Sequence, residues 1–366
     1  MAVLVSQSVS QSDKPCLTEA FQQKRSSFAK LFVLLTALLL ASSYGTSDGF
    51  AQKSKDAPEL VKKYDRRNFT SLTSLPKATP VAGTDFVKIS AGKMNLGSDG
   101  SYQVTITRPY EICSHEVTQK EYETYCKYGG TAPSGEYGKG DNFPAYYVNW
   151  YDAVVYCNLR SMAEGRTPCY KLNGETDPKK WSGIVGGGTV VRRGTGSLAA
   201  QRGRVTAAKY CGPSDNNTGW NSITCDFNAN GYRLPTEAEW EIAARGGLTG
   251  NVWAGTATES ELGKYAWYKG NSGNKTHEVK TKQANGYGLY DMSGNVEEWC
   301  WDGYNGNYTG TATNPTGPAS DDVRMYRSSS WRDDASNCRV VGPIRGNFYP
   351  RERYPDAGFR VVRTAR

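Results

Sequence analysis

Histidine is nearly absent from this chain of 366 residues: His115 and His277 are the only two. That scarcity excludes a multi-histidine iron centre. With no Cys-x-x-Cys pair among the nine cysteines, it excludes a zinc site as well. The formal charge of +8 comes from scattered Lys and Arg, with no basic helix and no recognisable nucleic-acid motif, so nucleic acid is excluded as a partner. Long aliphatic helical runs are also scarce. In their place stand 24 Tyr, 9 Trp and 40 Gly, which suit a loop-rich globular fold with an aromatic core. One absence is local: from Tyr326 to the C-terminus there is no Lys, Met or Gln, although the rest of the chain uses all three.

Near the N-terminus, Lys24, Arg25 and Lys30 precede the apolar run 31–41, and small residues follow. The run is short for a bilayer span and suits a secretory signal, so residues 1–51 read as an export segment; an uncleaved membrane anchor is the alternative. The expected location is the cell surface, the periplasm or the medium after secretion, with membrane association through the N-terminus belonging to the anchor alternative. No Cys closely follows the run, which speaks against a lipoprotein anchor. Export would permit disulfides among the eight cysteines after Cys16, and Cys211 with Cys225, which bracket a polar loop, is the favoured pair.

Residues 52–83 read as a linker, and a globular domain is expected over 84–366. Thr118 with Glu121, Asn149, and Thr236 with Glu239 mark three helix starts; Gly129, Gly165 and Gly246 are the expected stops. A Gly-, Thr- and Arg-rich stretch near 175–222 reads as an insertion within the domain.

Two motifs then carry a family resemblance. The segment from Gly231 to Glu241 (GYRLPTEAEWE), followed by Ala243-Ala-Arg-Gly-Gly247, resembles one signature of the formylglycine-generating enzyme/sulfatase-modifying factor family. The segment from Gly288 to Trp299 (GLYDMSGNVEEW) resembles its second. Glu116-Val-Thr118, Ser330-Trp331, Asn337-Cys-Arg339 and Gly358-Phe-Arg360 match further positions, so the resemblance covers roughly 84–364. It implies an α+β, C-type-lectin-like fold of the formylglycine-generating-enzyme type, with short mixed strands and few helices.

Asp291 and Glu298 offer carboxylates, and the turn from Gly294 to Val296 offers carbonyls, an oxygen set suited to Ca²⁺. The resemblance implies a structural Ca²⁺ at these positions; the alternative is that both acids only cap turns. The family's oxidases hold copper between two cysteines five residues apart. Cys338 matches the second, but Asp333 stands at the first, so the bis-thiolate that Cu(I) requires is incomplete and no copper is expected.

The resemblance extends to a non-catalytic branch, the variable proteins of diversity-generating retroelements, in which adenines of a template are mutated during copying into the 3′ end of the gene. Asn codons altered at adenines can give Arg, Asp, Gly, Pro, Ile, Phe, Tyr or Ser, but not Lys, Glu, Gln, Met or Trp. Within 327–358, Arg332, Asp333, Asp334, Gly342, Pro343, Ile344, Gly346, Phe348, Tyr349, Arg351, Tyr354 and Asp356 all fall in the reachable set, while Glu352 does not and reads as framework. Tyr, Phe and Arg are typical of binding hot spots. These twelve positions are therefore expected to form a ligand-binding surface, with Tyr349 and Tyr354 exposed and Phe348 as readily buried as exposed; inward packing against Trp299, Trp301 or Trp331 is the alternative. The expected function is an exported, non-enzymatic protein that binds a protein or glycan. A family-type oxidase and a structural envelope subunit with this stretch buried are the other readings.

Overall fold

Reciprocal capping boxes start the three longer helices: Thr118 with Glu121, Asn149 with Asp152, and Thr236 with Glu239. Each box satisfies two backbone donors that a helix start leaves open, worth about 1 kcal/mol per cap. They open α1 (Gln119–Tyr125), α2 (Trp150–Ala163) and, after the short α3 (Thr218–Asn221), α4 (Glu237–Arg245). The last ends on Gly246 at φ +61°, the left-handed stop expected there. α1 stops at Tyr125, four residues before Gly129, because Cys126 turns extended and bridges Tyr210. The computed structural model describes residues 75–365 apart from 98, 187–208, 216–217, 251, 305–308, 319–321 and 342–345. The expected export segment, and the expected linker up to residue 74, lie outside the described residues.

Short strands fill the remainder. One sheet runs β1 (Ala78–Pro80), β2 (Phe86–Ile89), β5 (Tyr110–Cys113), β16 (Val362–Thr364), β10 (Tyr232–Arg233), so the C-terminal strand sits between segments distant in sequence. β1 pairs with β2, which brings residues 78–80 of the expected linker into the sheet. A second sheet runs β14 (Gly346–Phe348), β13 (Arg324–Arg327), β11 (Glu297–Gly303), β15 (Ala357–Gly358). In a third, β4 (Tyr102–Ile106) lies between β12 (Gly310–Thr313) and β3 (Gly92–Leu96).

β11 organises the interior. All seven of its residues are buried, and its alternating side chains serve two different cores. Trp299 and Trp301 enter an aromatic core around α2, with Tyr122, Tyr156, Tyr170 and Phe359. Cys300 enters the other, with Trp240, Met292 and Met325. The expected insertion is bound into the first core where it is described: Trp181 and Trp220 are buried edge to face, with ring centres 5.3 Å apart.

All eight described cysteines are free thiols. Cys211 does not join Cys225. It lies in β8 (Tyr210–Cys211) beside β7 (Val185–Gly186), whereas Cys225 lies in β9 (Thr224–Cys225) beside β6 (Tyr170–Lys171). Burial pushes the Cys211 thiol up to about 11, which keeps it protonated and unreactive. No helix among the described residues is long and apolar enough to cross a membrane.

Candidate ligand-binding surface

The second sheet carries the predicted surface. In register, Trp299 of β11 pairs with Tyr326 of β13, and Tyr326 pairs with Gly346 of β14. Phe348 stacks on Tyr326 with ring centres 4.3 Å apart, leans on Tyr354 at 4.5 Å and meets Trp299 edge to face at 5.9 Å. Phe348 is thus half-buried, a bridge between core and surface. Tyr349 is the exposed one, at 44%. The Arg351 guanidinium lies over its ring at 4.5 Å, and the Tyr354 hydroxyl donates to Glu352 at 2.7 Å.

The segment 349–355 is held mainly by its own carbonyls. The backbone N–H groups of Tyr147 and Trp150 donate to the Tyr354 and Pro350 carbonyls at 2.9 and 3.1 Å, and Asn149 Nδ2 donates to the Arg351 carbonyl at 3.1 Å. Trp150 opens α2, so its N–H is one of the donors a helix start leaves open. One side chain adds a clamp: Arg353 donates to both oxygens of the fully buried Asp152, at 2.7 and 3.0 Å. The side chains at 349, 351 and 354 take no part in this fastening.

The turn 330–334 has similar scaffolding. Trp331 N–H donates to Asn295 O at 2.9 Å, its carbonyl accepts from Ser272 Oγ at 2.6 Å, and its ring stacks on Tyr137 at 5.5 Å. Asp333 is half-buried and spends Oδ2 on the N–H and hydroxyl of Ser330, at 2.8 and 2.6 Å. It acts as a turn brace, a correction to its expected place on the binding face. Asp334 is exposed, 3.2 Å from Lys269. Arg332 is half-exposed and reaches Asp356 at 2.5 Å.

Asp356 corrects the expectation most sharply. It is only 1% exposed, so it floors the surface rather than presenting a side chain on it. Burial raises its carboxyl above the usual range, against the pull of Arg332. Glu297, which sequence reasoning passed over, is buried beside it, and burial followed by the Asp356 charge pushes its carboxyl well up. The period of two in β11 is the signal that could have found it: Glu298 turns to one core, so Glu297 faces the other way with Trp299. Gly346 contributes backbone within β14, and Gly342, Pro343 and Ile344 lie outside the described residues.

The expected calcium positions divide. Glu298 is fully buried, and both its oxygens accept from Arg360 at 2.6 Å while Oε2 also accepts from Trp240 Nε1 at 2.7 Å. It is neutralised internally and does not fit as a metal ligand. Asp291 differs: Oδ2 accepts from the Lys280 N–H at 2.9 Å, but the buried Oδ1 has no hydrogen-bond partner. Burial lifts its carboxyl to about 6, and the Glu298 charge acts in the same direction. Gly294 turns at φ +83°, where a Cβ would lie 2.2 Å from the Trp267 carbonyl oxygen. Asn295 follows at φ +63°. No group of three or more His, Cys, Asp or Glu side chains among the described residues is arranged to hold a metal. Of the two expected carboxylate positions, Asp291 is the one that keeps an oxygen without a hydrogen-bond partner.

At the position implied for oxidase chemistry, Cys338 is buried and its thiol is pushed up to about 12, principally by burial. A thiol so held is protonated at neutral pH.

Short mixed strands around two cores, with a C-terminal strand closing the first sheet, define a sulfatase-modifying-factor type of domain. The chain belongs to that family: the model for the sulfatase-modifying factor enzyme 1-like domain matches residues 72–365. Among solved structures it is similar to Treponema denticola variable protein 1, at a TM-score of 0.60 and 35% identity, covering 80% of this chain and 100% of that one. The chaperone protein LppX of Paenibacillus barcinonensis is 32% identical over 302 residues, 76% of this chain and 89% of that protein. The formylglycine-generating enzyme of Mus musculus is 26% identical over 356 residues, covering 89% and 87%.

Proposed function

We propose that this protein is an exported, non-enzymatic ligand-binding protein whose C-terminal surface is diversified by a retroelement and recognises a protein or glycan outside the cytoplasm. The observation that carries this reading is the fastening of 349–355 through backbone carbonyls to 147–150. A loop held by groups that every residue possesses keeps its shape when its side chains change. Similarity to the Treponema variable protein supports the same role, as does similarity to a chaperone. The buried, protonated Cys338 and the turn-bracing Asp333 argue against copper oxidase chemistry. A structural Ca²⁺ at Asp291 forms part of this proposal, set by that carboxylate and the Gly294 and Val296 carbonyls.

Replacing Asp334, Tyr349 and Arg351 one at a time by Ser should change unfolding free energy by no more than about 0.5 kcal/mol, as for surface substitutions outside the core. Urea titration measures this. Loss of more than about 2 kcal/mol at most of the three would mean that these side chains build the fold, and the surface reading would fail.

A further inference from the structure

Beneath the surface, two buried carboxylate oxygens have no hydrogen-bond partner: Oε2 of Glu297 and Oδ1 of Asp356. The two residues are tied through the Glu297 N–H, which donates to the Asp356 carbonyl at 2.7 Å. Asp333 adds a third negative charge close by. Buried carboxylates require cationic or hydrogen-bonding compensation, and leaving an oxygen bare is destabilising. The cation facing them is Arg332, which engages Asp356 Oδ2 through Nε while half its side chain stays in solvent. Arg332 covers the pit incompletely.

The walls are aromatic. Tyr326 and Tyr354 both lie in the field of Glu297 and Asp356, and Phe348 packs between their rings. Ring faces carry negative electrostatic potential and attract ammonium and guanidinium groups, most strongly when water is excluded. An acidic floor under aromatic walls, with two open acceptors, is complementary to positive charge.

We propose that the ligand of this surface places a cationic group, a lysine-type ammonium or a guanidinium, onto Glu297 and Asp356 beside Tyr326 and Tyr354, displacing Arg332. This rests on the binding reading above and names the chemistry of its partner. Of the floor, Glu297 lies in the second motif and Asp356 within the reachable set, as does the cover Arg332, so a change at 332 would open or close the pit and a change at 356 would remove half its floor.

The test uses the full chain and two probes, Nα-acetyl-lysine methylamide and its uncharged norleucine counterpart, titrated by ligand-observed NMR. The lysine compound should bind at least tenfold more tightly than the norleucine compound. Arg332→Ala should strengthen lysine binding about tenfold by removing the competitor, and Glu297→Gln should weaken it about tenfold, the lower end for close charge pairs across an interface. Equal binding of the two probes, no binding of either, or an Arg332→Ala variant that gains nothing would each overturn the proposal. Arg332 is half-exposed, so its variant keeps the test available should Glu297→Gln fold poorly. Failure with the lysine probe while Asp334, Tyr349 and Arg351 still tolerate replacement rejects the cation and leaves the variable surface standing. Intolerance at those positions rejects the surface itself.

Discussion

Arg360→Met is expected to lower the unfolding free energy by about 3–5 kcal/mol, enough to leave much of the protein unfolded at 37 °C. The guanidinium is fully buried and donates to both oxygens of Glu298, and also to the carbonyls of Cys113 and Tyr290 at 3.2 and 2.9 Å. Glu116 and Asp291 are buried in the same neighbourhood, and the charge of Arg360 favours the ionised form of each. Removing it strands three carboxylates in a region without solvent. Removing Glu298 as well, in Glu298→Leu with Arg360→Met, should recover a substantial part of the loss, because a whole buried pair is cheaper to replace than half of one. Urea unfolding of the single and double variants measures both effects. A single variant within about 1 kcal/mol of the parent would show that the pair contributes little.

Calcium removal should have the next largest effect. Even with Arg360 in place, burial disfavours the ionised forms of Glu116 and Asp291, and Asp291 Oδ1 has no donor. A cation bound only by the folded state stabilises it by about 2.7 kcal/mol at a hundredfold excess over its dissociation constant. For a domain of this size that corresponds to a fall in melting temperature of about 4–5 °C on chelation. Scanning calorimetry in calcium and in chelator should show the difference, and Asp291→Asn should abolish most of it. Identical melting curves in the two buffers would remove the cation from the account.

Local signals were easy to read in the sequence, and pairings across it were not. The caps at Thr118, Asn149 and Thr236 act over three residues, so each helix start was legible. The stop of α1 was not, since Cys126 is drawn away by Tyr210, 84 positions later, and nothing near Gly129 reveals that. The two strongest motifs gave the family because they place side chains such as Trp240 and Glu298 in contact, at 2.7 Å across 58 residues. The same residue misled in isolation: Glu298 reads as a metal ligand until Arg360 is seen on it. At the surface, composition marked 332–356 correctly as unusual but could not say which side chains point outward. Asp356 turns inward because its neighbour Ala357 pairs in parallel with Glu297, a register no local pattern specifies. Glu297 was overlooked for the opposite reason, as one of two adjacent acids whose alternation assigns them to different sides of β11.

The tolerance of this surface has meaning only if variation is written into it. Sequencing the DNA downstream of the gene tests that most directly. The account predicts a near-identical repeat of the segment encoding 327–358, differing from it at adenines in the codons of Arg332, Asp334, Tyr349, Arg351 and Tyr354, next to a reverse transcriptase gene. The codon of Trp331 should match in both copies. A locus with no such repeat, or a repeat whose differences ignore adenines and fall equally on Trp331 and the other framework codons, would contradict it.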